Sequence, residues 1–155
     1  MKRLAIVAVG LALVLGIGPG CEAGPSSEMK DYAREMKQWY DSVSAVPVRE
    51  DLVRLHSINN PAEMYWVHEL LRSTVASLVL ADEDVQRLEY RDQTCANRSF
   101  GSVSPELEMA CERRDAADTA YVAAEFVWAE WMSEACGLGW PISYFEAIDG
   151  CLGGE

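Results

Sequence analysis

The chain has 155 residues and a mass of 17.2 kDa, enough for one domain and too short for two of ordinary size. Acidic residues outnumber basic ones 25 to 13, giving a formal charge of −12. This balance argues against a nucleic-acid partner, because binding phosphates requires clustered Lys and Arg. Half of the residues are apolar, so the chain can bury a core and is not a disordered segment.

Residues 1–20 have the pattern of a signal peptide for export. Lys2 and Arg3 precede an uncharged, apolar run from Leu4 to Gly18. The run is shorter than the roughly 20 residues of a membrane-spanning helix and matches the apolar segment of a secretory signal peptide. We therefore predict that the protein is exported.

The junction Gly20-Cys21 directly follows the apolar run and resembles the lipobox of bacterial lipoproteins. The resemblance implies cleavage before Cys21, acylation of its sulfur, and a lipid anchor in the cell membrane or outer membrane that faces the periplasm or the cell exterior. The alternative is ordinary signal cleavage after Ala23. Residues 21–27 have the composition of a tether, and residues 28–155 are predicted to form one helical domain.

Beyond the tether, apolar residues recur at helical spacing, and the sequence has no alternating run flanked by hairpin turns. We therefore predict an all-α fold, a small bundle of four to five helices stapled by two disulfides. The first helix has an apolar stripe made of Met29, Tyr32, Ala33, Met36, Trp39 and Val43. Pro47 ends that helix or begins the next, in which Leu52 and Leu55 face inward.

A third helix is predicted to begin at Asn60-Pro61-Ala-Glu63, where an N-cap residue precedes a proline and an acid. Asp82 either restarts this helix or lies within one that continues to Tyr90. Residues 96–104 are predicted to be a long loop.

A fourth helix is expected to open at Ser104-Pro105 and to run to about Ala135, since no Gly or Pro interrupts it. Beyond the glycines that end it, a short amphipathic turn is predicted to place three apolar residues on one side: Ile142, Phe145 and Ile148.

Acylation or removal of Cys21 leaves four cysteines, the number expected for two disulfides in an exported domain. If residues 105–135 form one helix, Cys111 and Cys136 lie nearly 40 Å apart, at about 1.5 Å per residue. Cα atoms joined by a disulfide lie within about 7 Å, so this pair is excluded. The crossed pairing would have to carry Cys95 to the far end of the same helix. We therefore predict the pairs Cys95–Cys111 and Cys136–Cys151.

Motifs for catalysis are incomplete. His68-Glu69-Leu-Leu-Arg72 begins like the zinc-protease helix motif, but Arg72 stands where the second His is needed. The run Asp82-Glu83-Asp84 lacks the Gly and Glu that complete a calcium loop. The sequence also lacks a Gly-rich phosphate loop and a Gly-x-Ser-x-Gly motif. It therefore predicts no enzyme, no metal site, no cofactor and no small-molecule substrate.

The C-terminal quarter of the chain is acidic and aromatic. No Lys or Arg follows Arg114, whereas eight acids do: Asp115, Asp118, Glu125, Glu130, Glu134, Glu146, Asp149 and Glu155. Acids with aromatic residues nearby are typical of a surface that attracts a basic protein, although solvated charge over a Trp-rich core is the alternative. The candidate contacts are three glutamates and the exposed member of a tryptophan pair: Glu125, Glu130 and Glu134, with Trp128 or Trp131.

The segment Glu89-Tyr-Arg-Asp-Gln-Thr-Cys95, followed by a Gly-Ser loop and Cys111, resembles part of the helical lysozyme-inhibitor lipoproteins of the mycobacterial LprI type. The resemblance covers about 30 residues. The family's Trp before the Arg and its earlier Cys have no counterpart here, and no site residue is carried over from it.

The function predicted from these features is an exported cell-envelope lipoprotein that binds a basic protein partner, for example as an inhibitor of a lysozyme-like hydrolase. The alternative is a structural or exclusion lipoprotein of the envelope, such as an immunity protein of phage origin. Neither function involves catalysis.

Overall fold

The computed structural model describes residues 24–90, 93–100, 103–140 and 143–153. This part of the chain forms five α-helices: α1 (Ser27–Ser42), α2 (Arg49–Ser57), α3 (Tyr65–Leu88), α4 (Pro105–Ala135) and α5 (Tyr144–Leu152). Two 3₁₀ helices span Ala62–Met64 and Cys95–Phe100. The described residues contain no strand, and the all-α prediction is confirmed. The predicted signal peptide, the Cys21 anchor, the alternative cleavage after Ala23, and residues Ile142 and Glu155 lie outside the described residues.

Three helices begin at a serine whose side chain caps the first turn. The hydroxyl oxygens accept hydrogen bonds from backbone N–H groups three residues on: Met29 to Ser26, Leu107 to Ser104 and Glu146 to Ser143. Such caps satisfy amide groups that have no partner inside the helix. The 31-residue α4 ends as the sequence predicts, because Gly137 follows it with φ +68°, a conformation that glycine adopts without strain.

Two local predictions are wrong. The start predicted at Asn60 is a 3₁₀ turn, in which the N–H of Met64 bonds to the carbonyl of Pro61 at 2.9 Å, and α3 begins only at Tyr65. The predicted loop 96–104 largely consists of the second 3₁₀ helix. Hydrogen bonds that span three residues leave no apolar periodicity in so short a segment, so the sequence does not reveal them.

Helices α3 and α4 form an antiparallel hairpin. Near one end, Arg113 and Arg114 of α4 face Asp84 and Asp82 of α3, and near the other Trp131 packs edge-on against Trp66. Helix α5 packs on both α1 and α4, whereas α2 runs along α3, from the contact of His56 with Arg72 to the ion pair of Arg49 with Glu83 near the first end. None of the described helices is long and apolar enough to cross a membrane.

Each disulfide belongs to one end of the hairpin. Cys136–Cys151 lies in the main core, which α1, α2, α3, α4 and α5 all share. Cys95–Cys111 lies in a separate small cluster with Val85, Leu107 and Ala110. The pairing is the one that the length of α4 predicts, and Cys111 and Cys136 do lie on the same unbroken helix or at its cap.

A buried chain of hydrogen bonds crosses the main core and joins three helices. Trp128 Nε1 of α4 donates to the Tyr32 hydroxyl of α1 at 2.7 Å, and that hydroxyl is hydrogen-bonded to Nδ1 of His68 on α3 at 2.9 Å. Nδ1 of a neutral His68 can accept the proton of the Tyr32 hydroxyl. The backbone of Leu55 lies near the His68 ring, and Nε2 has no hydrogen-bond partner within the described residues. Burial, and then the positive charge of Arg72, lower the pKa of His68 from 6.5 to about 4.

Candidate functional site

A groove of about 190 Å³ runs between the second half of α4 and the segment that leads into α5. Its α4 wall is formed by Val122, Glu125, Phe126, Ala129 and Glu130, and its other wall by Trp140, Ser143 and Tyr144. We call it the α4–α5 groove. Most of the lining is apolar, and Trp140 is 70% exposed. Exposed aromatic rings beside a concave surface are typical of contact sites rather than of a protein core.

Helical spacing explains the first wall. Each of the five α4 residues lies three or four residues from another member of the set, as Val122 does from Glu125 and Phe126, so they lie along one face of the helix. The second wall depends on the chain after α4, since Trp140, Ser143 and Tyr144 all lie inside the loop that Cys136–Cys151 closes. The groove therefore joins one rigid helix to one disulfide-bonded loop.

Glu125 is the half-buried charge of the groove. Its burial raises the pKa of the carboxyl above its ordinary value, hydrogen bonding from Tyr121 lowers it, and the negative charge of Asp118 raises it further. No Lys or Arg among the described residues pairs with Glu125 or with Glu130 across the groove. The groove therefore has negative charge without a counter-ion from its own chain.

Aromatic rings support the wall from behind. Tyr40 of α1 is stacked on Tyr144, with ring centroids 4.0 Å apart and an angle of 16° between the planes. The Tyr40 hydroxyl is buried and forms no hydrogen bond within the described part of the chain. Burial, and then the charge of Glu125, raise the pKa of Tyr40, so that its hydroxyl stays protonated. The back of the groove is thus rigid and neutral.

The candidate contact residues predicted from the sequence do not share one surface. Glu125 and Glu130 both line the α4–α5 groove, and Glu134 lies exposed beyond it. Trp128 is completely buried, so it is not available to a partner, and its role is the hydrogen bond to Tyr32 in the core. The exposed member of the tryptophan pair is Trp131.

Trp131 lies on a different side of α4 from the groove. It is nine residues after Val122, which corresponds to about 180° around an α-helix. Its ring packs edge-on against Trp66 of α3, with centroids 4.9 Å apart, and both rings are partly exposed. The Trp131 side chain therefore belongs to a second surface, between α3 and α4.

The negative charge of the acidic residues after Arg114 is also less evenly distributed than the sequence indicates. Asp115 pairs with Arg98 at 2.6 Å and with Arg114 at 3.6 Å, while Asp149 pairs with Lys37 at 2.6 Å. These bases lie earlier in the chain, so the absence of Lys and Arg after Arg114 does not reveal them. Glu130 and Glu134 form no such pairs within the described residues, and the uncompensated charge is concentrated on the second half of α4.

The sequence indicates that the C-terminal quarter is aromatic, but it does not single out Trp140, Tyr144, Phe126 or Val122 as contact residues. The signal for Val122 and Phe126 was their position four residues apart on α4, on a face that turns away from Trp128. No grouping of three or more potential metal ligands occurs in the described residues. Comparison of the chain with protein-family models, curated proteins and solved structures gives no match.

Proposed function

We propose that this protein is an exported binding protein of the cell envelope whose α4–α5 groove receives part of a basic protein, for example a lysozyme-like hydrolase. The observation that carries the proposal is the pairing of exposed aromatic rings with two glutamates that have no counter-ion. Long-range attraction would speed the encounter, and the apolar surface of Phe126, Trp140 and Tyr144 would hold the partner. The two disulfides are consistent with an oxidising, exported environment.

The proposal includes a lipid anchor at Cys21, supported by the lipobox-like junction after the apolar run. A lipid anchor would hold the binding domain at the membrane, with the residues between Cys21 and the Ser26 cap of α1 as the tether. Labelled fatty acid should enter the wild-type protein but not the Cys21→Ala variant. Equal labelling of both would contradict the anchor and would leave the binding proposal to its own test.

The binding proposal is tested by the kinetics of association with a cationic c-type lysozyme as probe. Reversing Glu130 and Glu134 to Lys should reduce the association rate about tenfold at low salt and flatten its dependence on ionic strength. Glu130 is partly exposed and Glu134 is exposed, and neither forms an ion pair within the described residues, so the fold should be retained.

The matched control reverses Glu63 and Glu112 to Lys, which changes the net charge by the same amount. Glu63 lies in the 3₁₀ helix that precedes α3 and Glu112 lies in the first half of α4, and both are exposed. The control should slow association much less than the groove variant. Equal slowing by both variants would contradict a localised site, and no binding of lysozyme at low salt would refute the function. Binding that rising salt leaves unchanged would favour the structural alternative.

A further inference from the structure

The size of the α4–α5 groove limits what it can hold. Its volume of about 190 Å³ is below the roughly 300–1,000 Å³ of pockets for drug-sized ligands. At about 30 Å³ for each water molecule, it has room for about six water-sized groups. This matches one long side chain, since those of Lys and Arg contain about five to seven non-hydrogen atoms.

The chemistry of the walls selects a cation with an apolar stem. Phe126 and Ala129 offer apolar surface along the groove, and Trp140 and Tyr144 offer aromatic rings. Half-buried carboxylates are usually paired, because burying an unpaired charge is costly. Glu125 has the Tyr121 hydroxyl as a hydrogen-bond partner and forms no salt bridge within the described residues, so a positive group in the groove would offset its burial.

On these grounds, and resting on the proposed function, we infer that the α4–α5 groove is a receptor for a single arginine side chain of the basic partner. A guanidinium is planar, stacks on aromatic faces and can hydrogen-bond to two carboxylates at once. The two walls offer those features together: Trp140 and Tyr144 for stacking, and Glu125 and Glu130 for pairing. The ammonium group of lysine is a compact, strongly hydrated charge and would gain less from the rings.

The test uses the exported protein with its disulfides formed and blocked tripeptides of the form Gly-Xaa-Gly. Xaa is arginine, lysine, citrulline, which has the shape of arginine without its charge, or norleucine. Binding is followed by the NMR signal of the Trp140 indole N–H, assigned with Trp140→Phe. The arginine peptide should shift this signal, and the citrulline peptide should bind about tenfold more weakly. The lysine peptide should fall between them.

Two substitutions test the site. Glu125→Gln, which keeps the size of the side chain, should remove the shift of the Trp140 signal. Trp140→Ala removes that signal itself, so binding of the arginine peptide by this variant is measured by calorimetry and should be lost. Their matched controls are Glu112→Gln, about 20 Å further along α4, and Trp66→Ala, another exposed tryptophan. Both controls should bind the arginine peptide as the wild type does. The indole signal of Trp128, which is held by Tyr32 in the core, reports whether each variant is folded.

The outcomes separate this inference from the function on which it rests. Equal binding of the arginine, citrulline and norleucine peptides would overturn the inference, because charge would then have no role. The inference is also overturned if the peptides leave the Trp140 signal unchanged while lysozyme still binds and the Glu130 and Glu134 reversals weaken lysozyme binding. In that case the proposed function stands. If neither the peptides nor lysozyme bind, both are refuted.

Discussion

Cys95–Cys111 closes a loop at one end of the α3–α4 hairpin, and Cys136–Cys151 closes a loop of almost the same length at the other. An exposed ion pair also connects each loop to a residue outside it. Arg98 of the first loop pairs with Asp115 of α4, and Asp149 of the second loop pairs with Lys37 of α1. The surroundings differ. The first disulfide packs in a small cluster built by α3, α4 and the loop itself, whereas the second lies in a core that all five helices share.

The comparison shows that equal loops need not stabilise a protein in the same way. In the chain-entropy model both disulfides contribute about 3 kcal/mol, since that contribution depends on loop length. What differs is the structure that opens when the bond is lost. Opening the first loop exposes a small cluster, but opening the second releases α5 from α1 and α4 and uncovers the main core.

The largest expected effect therefore comes from replacing Cys136 and Cys151 by Ala. We expect a loss of about 4–5 kcal/mol in the free energy of unfolding, near the top of the range for native disulfides, because α5 is freed. Urea unfolding measures this loss, and hydrogen exchange should show lost protection in α1, α4 and α5. The variant should also bind the basic partner more weakly, because Trp140 and Tyr144 lie in the opened loop.

The matched variant replaces Cys95 and Cys111 by Ala. We expect a loss of about 2–3 kcal/mol, with lost protection confined to the first end of the hairpin and with partner binding retained. The same loss of stability and the same exchange pattern in both variants would mean that the two ends unfold as one unit. The proposed difference in stability between the two ends of the hairpin would then be wrong.

A second prediction uses acid, which should weaken the main core through His68. Because the folded-state pKa is lowered to about 4, the unfolded chain binds a proton at this residue between pH 6.5 and 4 and the folded chain does not. Its contribution is therefore fully present above pH 6.5 and is lost as the pH falls toward 4. The expected loss is up to about 3 kcal/mol. The charged groups around the ring are Arg72, Glu69 and His56, with the neutral Tyr32 hydroxyl on Nδ1.

Urea unfolding at pH 7 and pH 4.5 measures this dependence, and His68→Gln provides the comparison because it does not titrate. The wild type should lose more stability than the variant between the two pH values, with the difference appearing in exchange at α1 and α3. The buried residues of the cluster at the first end include no titratable side chain in the described segments. If the free energy of unfolding had the same pH dependence in the two proteins, protonation of His68 would have no effect on stability, which would contradict the prediction.

The smallest expected effect comes from the exposed ion pair at the first end. Arg98→Gln should lower the free energy of unfolding by less than about 1 kcal/mol, because both side chains are more than a third exposed and solvent screens the pair. Thermal unfolding at low and high salt measures the change, which salt should reduce further. Lys37→Gln at the second end is the companion variant and should also have a small effect. A loss comparable to that of a disulfide would contradict the solvent-screening argument.

The fold is predictable where a long segment of the sequence consistently favours one type of secondary structure. The absence of Gly and Pro between Pro105 and Ala135 predicts α4, and the length of α4 then selects the disulfides. The start of α3 was not predictable, because the choice between an α-helical and a 3₁₀ first turn at Pro61 rests on single hydrogen bonds of similar strength.

The candidate site was predictable in composition but not in arrangement. The sequence indicates acids and aromatic rings near the C-terminus, and Glu125 and Glu130 do line the groove. It does not distinguish Trp128 from Trp131, because which of two rings three residues apart is buried depends on where the other helices pack. Long-range pairs such as Lys37 with Asp149 have no local signal at all.

The length of α4 has a further consequence for how this protein can change. About 40 Å of uninterrupted helix separates the cysteine at each end, and sites so far apart usually contribute to stability independently. Substitutions in the first disulfide loop can therefore accumulate without altering the groove, and the groove can be remodelled without disturbing that loop. In engineering, the end of the α3–α4 hairpin near Cys95 is the natural place for a reporter or a second recognition element. An insertion there should leave the α4–α5 groove unchanged.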